Sequence, residues 1–232
     1  MFKKIKILSL SLILLISSSS SIFAENEHSY IISKFDGYSI KEVFKDDEYK
    51  VYTYKDDELL YITFSKDDGN LYMLINDKEI LAMEIVNETN DVDDFITSKA
   101  LKRAPSNFLL TSSGVVQRIK INIDVINVGV AAVESLLLSY VHNGFDKSGL
   151  KMAIVNQAVL DSLALYIVHN YTTYDTNITR NNYVYNGCNW LYYSELIFPS
   201  GQVVEGYAWS DNPGSGIASS VCKLASQTYP YK

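Results

Sequence analysis

Short apolar runs separated by polar corners dominate residues 38–86. Runs of four to eight residues rich in Tyr, Ile, Val, Phe and Leu are typical of β-strands. The corners contain Asp, Asn, Gly, Lys and Glu, which tolerate tight turns. The pattern therefore predicts an antiparallel meander of five strands. Its runs are residues 38–44, 49–54, 59–65, 71–75 and 80–86.

The run at residues 71–75 differs from its neighbours because it is apolar on both of its faces. A strand with this pattern is usually covered on both sides. We therefore expect it to be central in the meander and covered on both faces, in part by the helices that follow.

The tripeptide Lys-Asp-Asp recurs in the corners, at residues 45–47, 55–57 and 66–68. An EF-hand calcium loop needs oxygen ligands at alternating positions, a glycine at the bend and a distal glutamate. Residues 67–70 supply two acids and a glycine, but with a different spacing, and the other two corners lack glycine. We interpret the corners as hairpin turns with solvated charges, and we predict neither a metal site nor a cofactor.

The middle of the chain predicts two helices. Residues 150–168 are apolar around most of the helical circumference, and residues 142–149 form a turn before them. Residues 119–125 also alternate as a strand would, but the helical stripe is longer, so we favour a helix at least from Asn122 onward. The two helices predict an antiparallel hairpin. The stripe of the first helix consists of Ile119, Ile123, Ile126, Val130, Val133, Leu137 and Tyr140.

The residues after Tyr171 return to a β pattern that is rich in tyrosine, with a turn signal at Pro199-Ser200-Gly201. Cys188 and Cys222 are the two cysteines, and in an exported chain a disulfide between them is the default. Such a bond adds about 3–4 kcal/mol on the chain-entropy model. The fold class is therefore α+β: an N-terminal meander, a central helical hairpin and a small Tyr-rich β region with one disulfide.

The first 24 residues are typical of a secretory signal peptide. Lys3, Lys4 and Lys6 precede an apolar run at residues 7–16, and small Ala24 marks the expected cleavage site. The run is too short to favour a membrane anchor. We therefore expect a secreted, extracellular protein whose mature chain begins near Glu25.

The mature chain divides into three predicted parts. Residues 25–92 form the acidic meander, residues 93–114 a connector with a short helix, and residues 115–232 the helical hairpin plus the disulfide-linked β region. The connector carries the dibasic pair Lys102-Arg103, which is a candidate processing site and equally an exposed loop with two solvated cations.

Charge is distributed unevenly along the mature chain. Residues 25–98 carry a net charge of −12, whereas residues 99–232 carry +2. This asymmetry favours two modules. There is no basic patch, so nucleic acid is not predicted as a partner.

Catalytic signatures are missing from the sequence. The three histidines and two cysteines match no zinc spacing, and there is no Gly-x-Ser-x-Gly motif. Glu195, Glu205 and Asp211 are candidates for the two carboxyl groups of glycoside hydrolysis, but we favour exposed strand or turn acids. We predict no enzymatic activity.

Aromatic residues near the C-terminus are candidates for contact with a partner. Tyr192, Tyr193, Tyr207 and Trp209 can stack on a sugar or anchor a protein. The alternative for Trp190 and Trp209 is a place in a small core beside the disulfide.

Two functions follow from these features. The first is a secreted, bacteriocin-like or toxin-like pre-pro-protein whose meander masks an apolar C-terminal module, with release at Lys102-Arg103 and a target-cell membrane as the partner. Carboxylates in the first predicted helix, Asp124 and Glu134, oppose insertion of the resting state. The second is an extracellular module that remains uncleaved and binds a cell-wall component.

Overall fold

The computed structural model describes residues 28–35, 37–45, 48–88, 105–143, 150–210 and 220–229. They form one antiparallel sheet of eleven strands and four helices, which places the chain in the α+β class. The strands are β1 (His28–Phe35), β2 (Tyr38–Lys45), β3 (Glu48–Lys55), β4 (Glu58–Ser65), β5 (Leu71–Ile75), β6 (Lys78–Glu88), β7 (Phe108–Ile121), β8 (Leu150–Val155), β9 (Tyr174–Tyr185), β10 (Leu191–Ile197) and β11 (Val203–Ser210). The helices are α1 (Ile123–Val128), α2 (Val130–Asn143), α3 (Gln157–Asn170) and α4 (Ser220–Thr228).

Strands β2 to β6 confirm the predicted meander, and their ends lie within two residues of the predicted runs. The corners are tight turns: Asp56 and Asp57 have φ values of 49° and 68°, and Asn76 and Asp77 have 49° and 59°. Positive φ at both central residues defines the type I′ hairpin turn, where Asn and Asp are tolerated. The corner at residues 46–47 lies outside the described residues.

The expectation that β5 is covered on both faces is wrong within the described residues. Leu71 and Met73 are fully buried under the helices, whereas Tyr72 and Leu74 on the opposite face are only half-buried. Although β5 is apolar on both faces, the helices cover only one of them.

The predicted small Tyr-rich β region does not form a separate sheet. Strand β6 pairs with β7, and β7 pairs along its length with β9, from Phe108 opposite Tyr185 to Ile121 opposite Tyr174. The sheet order is β1-β2-β3-β4-β5-β6-β7-β9-β10-β11-β8. The C-terminal strands thus extend the meander, and β7 begins inside the segment predicted as a connector.

The predicted helical hairpin is correct only in part. Strand β7 continues to Ile121, and Asn122 caps α1 by accepting a 2.9 Å hydrogen bond from the backbone N–H of Asp124. Gly129, with φ 120°, separates α1 from α2. The prediction of a helix for residues 150–155 is wrong, because these residues form β8 and pair with the edge of β11. Helix α3 follows and packs against α2.

Helix α2 lies at the centre of the molecule. All twelve of its residues from 131 to 142 are buried, and a helix buried around its whole circumference belongs in a core. The helix contacts β2 to β5 and also β8 at the far edge of the sheet. The sheet therefore curves around α2. Within the described ranges, no helix has the length and apolar content of a membrane span.

Polar side chains of α2 meet polar side chains of the N-terminal strands. The Ser135 and Thr63 hydroxyls lie 2.7 Å apart, and the His142 imidazole lies 2.5 Å from the Glu42 carboxylate. The Tyr49 hydroxyl donates a 2.8 Å hydrogen bond to the same Glu42 oxygen. Buried polar groups need such partners, so these pairs fix the position of α2 on β2 to β4.

Candidate functional site

The outer face of β9 to β11 carries a group of polar and aromatic side chains. We call the face opposite α1 to α3 the outer face. Alternation along β10 and β11 turns Leu196 and Val204 toward the helices and turns Tyr193 and Trp209 outward, into a second apolar cluster. The tyrosine–carboxylate cluster lies on this outer face and consists of Asn181, Tyr183, Tyr193, Glu195 and Glu205.

Glu195 is the buried centre of the cluster, with no solvent exposure. Its Oε2 accepts hydrogen bonds from the Asn181 amide at 3.2 Å and from the Tyr183 hydroxyl at 3.0 Å. Its Oε1 accepts one from the Tyr193 hydroxyl at 3.2 Å. A carboxylate in an apolar setting is tolerated only with such donors, so three neighbouring side chains are committed to holding it.

Glu205 lies directly opposite Glu195 in the β10–β11 register, and its side chain is half-buried. The Tyr193 hydroxyl lies 2.5 Å from Glu205 Oε2 as well, so its one proton is shared between the two carboxylates. The two carboxylates are therefore within about 6 Å of each other, which is two hydrogen-bond lengths. Acids directly opposite each other in a sheet are unfavourable, so this arrangement is not explained by stability of the sheet.

The two phenols of the cluster stay protonated at neutral pH. Burial, followed by the hydrogen bond to Glu205, raises the pKa of Tyr193 well above its ordinary value. Burial and the adjacent Glu195 raise the pKa of Tyr183 as well. The Tyr183 and Tyr193 hydroxyls therefore remain hydrogen-bond donors, and they orient the carboxylates of Glu195 and Glu205.

Aromatic rings adjoin the cluster on the same face. Tyr207 is half-exposed, and its ring centroid lies 5.0 Å from that of Tyr229 and 5.1 Å from that of Tyr193. Burial, with Tyr229 and Glu205 close by, raises the pKa of Tyr207 to about 12. The exposed part of the site is thus a carboxylate and a phenol ring from neighbouring outward positions of β11.

Helix α4 and the disulfide cover the rest of this face. The Cys188–Cys222 bond confirms the predicted disulfide. It lies beside Trp209, which is 1% exposed, and Ala225 of α4 is fully buried in the same cluster. The helix was not predicted, because a short stretch of small and polar residues after Asp211 gives a weak helical pattern.

The structure brings together some of the predicted contact residues and separates others. Tyr193, Tyr207 and Trp209 share the outer face, whereas Tyr192 points to the other face and donates a 2.7 Å hydrogen bond to the backbone oxygen of Asn189. Tyr193 and Trp209 are buried, and Tyr192 and Tyr207 are half-exposed. Ala24, Lys102, Arg103 and Asp211 lie outside the described residues.

Sequence reasoning missed Asn181 and Tyr183. Their alternation along β9 was a readable signal, but their meeting with Glu195 depends on the β9–β10 register, which pairs Asn181 with Glu195 and Tyr183 with Tyr193. Among the residues that the structure describes, no three His, Cys, Asp or Glu side chains are arranged to hold a metal ion. No protein-family model, curated protein or solved structure shows significant similarity to the chain.

Proposed function

We propose that the protein is a secreted, non-enzymatic binding module that stays in one piece and binds a polysaccharide of the cell wall through Glu205 and Tyr207. The observation that carries this proposal is the buried support beneath a half-buried carboxylate. The Tyr193 hydroxyl is hydrogen-bonded to Glu205 and also to Glu195. Glu195 is itself fixed by hydrogen bonds from Asn181 and Tyr183. Binding residues that are fixed in this way by surrounding side chains lose little freedom when a ligand arrives.

The chemistry of the two exposed groups suits a sugar. A carboxylate accepts hydrogen bonds from vicinal hydroxyl groups, and it does so more strongly than a neutral acceptor. The Tyr207 ring is stacked on Tyr229, and the part of the ring that stays accessible, with its hydroxyl, can pack against a pyranose and hydrogen-bond to it. Glu205 and Tyr207 project on the same side of β11, two residues apart, so one sugar unit can contact both of them.

Glycoside hydrolysis fits this geometry less well than binding. That reaction needs one carboxyl group as acid and another as nucleophile or base, both in contact with the substrate. Glu195 has no exposed surface, so Glu205 is the single carboxylate of the pair that a polymer can reach. The arrangement supports recognition without bond cleavage.

The membrane-acting alternative has less support, because it requires the C-terminal module to leave the meander. Between the two halves lie the β6–β7 pairing and the buried contacts of α2 with β2 to β4. Separation would expose the core around Leu137 and would leave buried polar partners unpaired. The two halves therefore function best as one unit.

Retention of the mature chain on purified cell wall tests the proposal. We expect Tyr207→Ala and Glu205→Gln each to weaken retention about tenfold, the effect of losing one strong contact. Tyr192→Ala is the matched control, since it removes a half-exposed tyrosine from the opposite face of the neighbouring strand. A soluble wall saccharide should compete for binding of the parent chain. Equal retention of all variants, or dye leakage from liposomes without wall binding, would overturn the proposal.

A further inference from the structure

The outer face of the meander is a second surface with an ordered pattern. We call it the meander face and define it by the outward side chains of β2 to β6. One row crosses all five strands in register, with each residue directly opposite the next. This row is Lys41, Tyr52, Ile62, Leu74 and Glu79.

The middle of the meander face is apolar. Beside Ile62 on β4 and Leu74 on β5 lie Phe64 and Tyr72, whose ring centroids are 6.2 Å apart, and all four side chains are half-exposed. Leu81 on β6 is 40% exposed. Contiguous apolar groups of this kind on a soluble surface mark a contact site.

The two margins of the meander face carry opposite charges. Lys41 lies at the β2 end of the row and Glu79 at the β6 end. Within the described residues, Lys41 has no ion-pair partner, and Glu79 is bound through Oε1 by Lys66. Both Glu79 and Lys66 are more than 40% exposed, so the Glu79 carboxylate remains accessible to another cation.

We propose that the meander face is the interface of a symmetric dimer, and that its occupant is a second copy of this chain. A two-fold axis along β4 exchanges the two margins of the face. Lys41 of one copy then meets Glu79 of the other, twice in the dimer. Tyr52 packs on Leu74, again twice, and Ile62 and Phe64 pack on their own counterparts. An isologous interface needs this kind of self-complementarity, and an axis across the strands would instead oppose lysine to lysine.

The size of the face sets the strength of the dimer. Five strands about 4.8 Å apart and about 20 Å long give a patch on the order of 400 Å² for each copy. That is about half of what a standard interface buries for each partner. Because the sheet curves around α2, the face is convex. The contact therefore centres on β3 to β5, and the long side chains of Lys41 and Glu79 span the wider gap between the two copies at its margins. We therefore expect a weak dimer, with a dissociation constant on the order of 10 to 100 µM.

Sedimentation of the mature chain over a range of concentrations tests this dimer. We expect monomer at low concentration and dimer at high concentration. Lys41→Glu and Glu79→Lys should each weaken self-association at least about tenfold, because like charges then face each other twice. Mixing these two variants should restore association, since every pair in the mixed dimer again joins opposite charges. Lys78→Glu, one residue from Glu79 and on the other side of β6, is the matched control.

Two results would overturn the proposal. One is a monomer at every concentration up to about ten times the expected dissociation constant. The other is a dimer that forms unchanged with either single charge reversal, or one that mixing the two variants fails to restore. Circular dichroism of each variant separates these outcomes from unfolding, and neither reversal changes a fully buried side chain.

Discussion

At the scale of single residues, Glu195 shows how the site is held together. Its two oxygens accept hydrogen bonds from Asn181, Tyr183 and Tyr193, all three on the outer face of the sheet. Removal of the acceptor leaves the buried donors of Asn181 and Tyr183 without a partner, whereas the Tyr193 hydroxyl keeps Glu205 as its acceptor. The cost of such a change comes from those donors more than from the lost carboxylate itself.

We therefore predict that Glu195→Ala lowers the free energy of unfolding by about 2–4 kcal/mol. Glu195→Gln should cost less than about 1 kcal/mol, because its oxygen still accepts from Asn181 and Tyr183 while its amide N–H donates to the Tyr193 oxygen. Tyr193 can then donate its own proton to Glu205. Urea denaturation followed by circular dichroism measures both values.

Glu84→Ala is the control for this prediction. Glu84 is exposed on β6, so its removal should change stability by no more than about 0.5 kcal/mol. A loss for Glu195→Gln as large as for Glu195→Ala would show that charge, rather than hydrogen bonding, holds the cluster.

Single residues also show where sequence reasoning stops. Alternation puts Tyr193 with Glu195 on one face of β10 and Glu205 with Tyr207 on one face of β11, and the register of the two strands makes it the same face. Alternation could not show that Glu195 is buried, because the pairing of β9 with β10 is what brings Asn181 and Tyr183 around its carboxylate. The pairing of strands that are distant in sequence determines how deeply a residue is buried and which residues surround it. A local sequence pattern contains neither piece of information.

At the scale of elements, prediction succeeded where the pattern was local. The turn chemistry of Asp56-Asp57 and Asn76-Asp77 is specified by two residues, and the meander followed from such corners. Residues 150–155 were predicted as helix because an apolar stretch fits a helix and a strand equally. These residues form the strand β8 because they can pair with the free edge of β11. That edge is more than 45 residues away in the sequence, so a local pattern does not reveal it.

The disulfide links α4 to the sheet, and its contribution to the free energy of unfolding can be measured. It joins residues 34 positions apart, one in the turn after β9 and one in α4. We predict that Cys188→Ser with Cys222→Ser lowers the free energy of unfolding by about 3–4 kcal/mol. Hydrogen exchange should rise first in α4, because without the disulfide the helix is held on the sheet mainly by buried Ala225 and by the ring of Tyr229 against Phe108 and Tyr207.

Exchange in α3 serves as the internal reference for this variant, since α3 packs on α2 in the other core. If α3 and α4 lose protection together, then α4 is part of the global folding unit. In that case the disulfide does not act locally on the outer face.

At the scale of the whole molecule, the tyrosines make stability depend on alkaline pH. Burial is the main cause of the raised pKa of nine tyrosines among the described residues, and for Tyr207 the raised value is about 12. In the unfolded chain the same groups titrate near pH 10. The folded state therefore binds more protons than the unfolded state above about pH 10, and stability falls as pH rises there. The nine are Tyr49, Tyr54, Tyr61, Tyr140, Tyr174, Tyr183, Tyr193, Tyr207 and Tyr229.

The prediction is that stability is insensitive to these groups below about pH 10 and declines between about pH 10 and 12. Phenolate absorbance and circular dichroism, recorded together in an alkaline titration, provide the measurement. A large part of the phenolate signal should appear with loss of structure, whereas in urea it should appear near pH 10. Full ionisation of the tyrosines before any change in circular dichroism would contradict the burial of these rings.

The largest question at this scale is whether the two halves of the chain can part. The sheet continues from β6 to β7, and α2 joins the halves through Thr63, Glu42 and Tyr49. We predict that cutting the chain at an engineered protease site replacing Lys102-Arg103 leaves the two fragments associated in one particle. They should elute together in size-exclusion chromatography, keep the circular dichroism of the intact chain and separate only in denaturant.

The reason is that separation would expose the core that α2 fills from both halves, at an apolar cost of roughly 25 cal/mol for each Å² exposed. Cutting the same engineered chain in urea and then refolding it provides the control, since fragments that recognise each other should reassemble. Spontaneous separation after cutting, with a C-terminal fragment that binds liposomes, would favour the masked effector over the binding module. Co-elution with undiminished retention on cell wall would favour the single extracellular unit, because the Glu205–Tyr207 surface needs β9 to β11 to stay paired and Phe108 of β7 to stay packed against Tyr207.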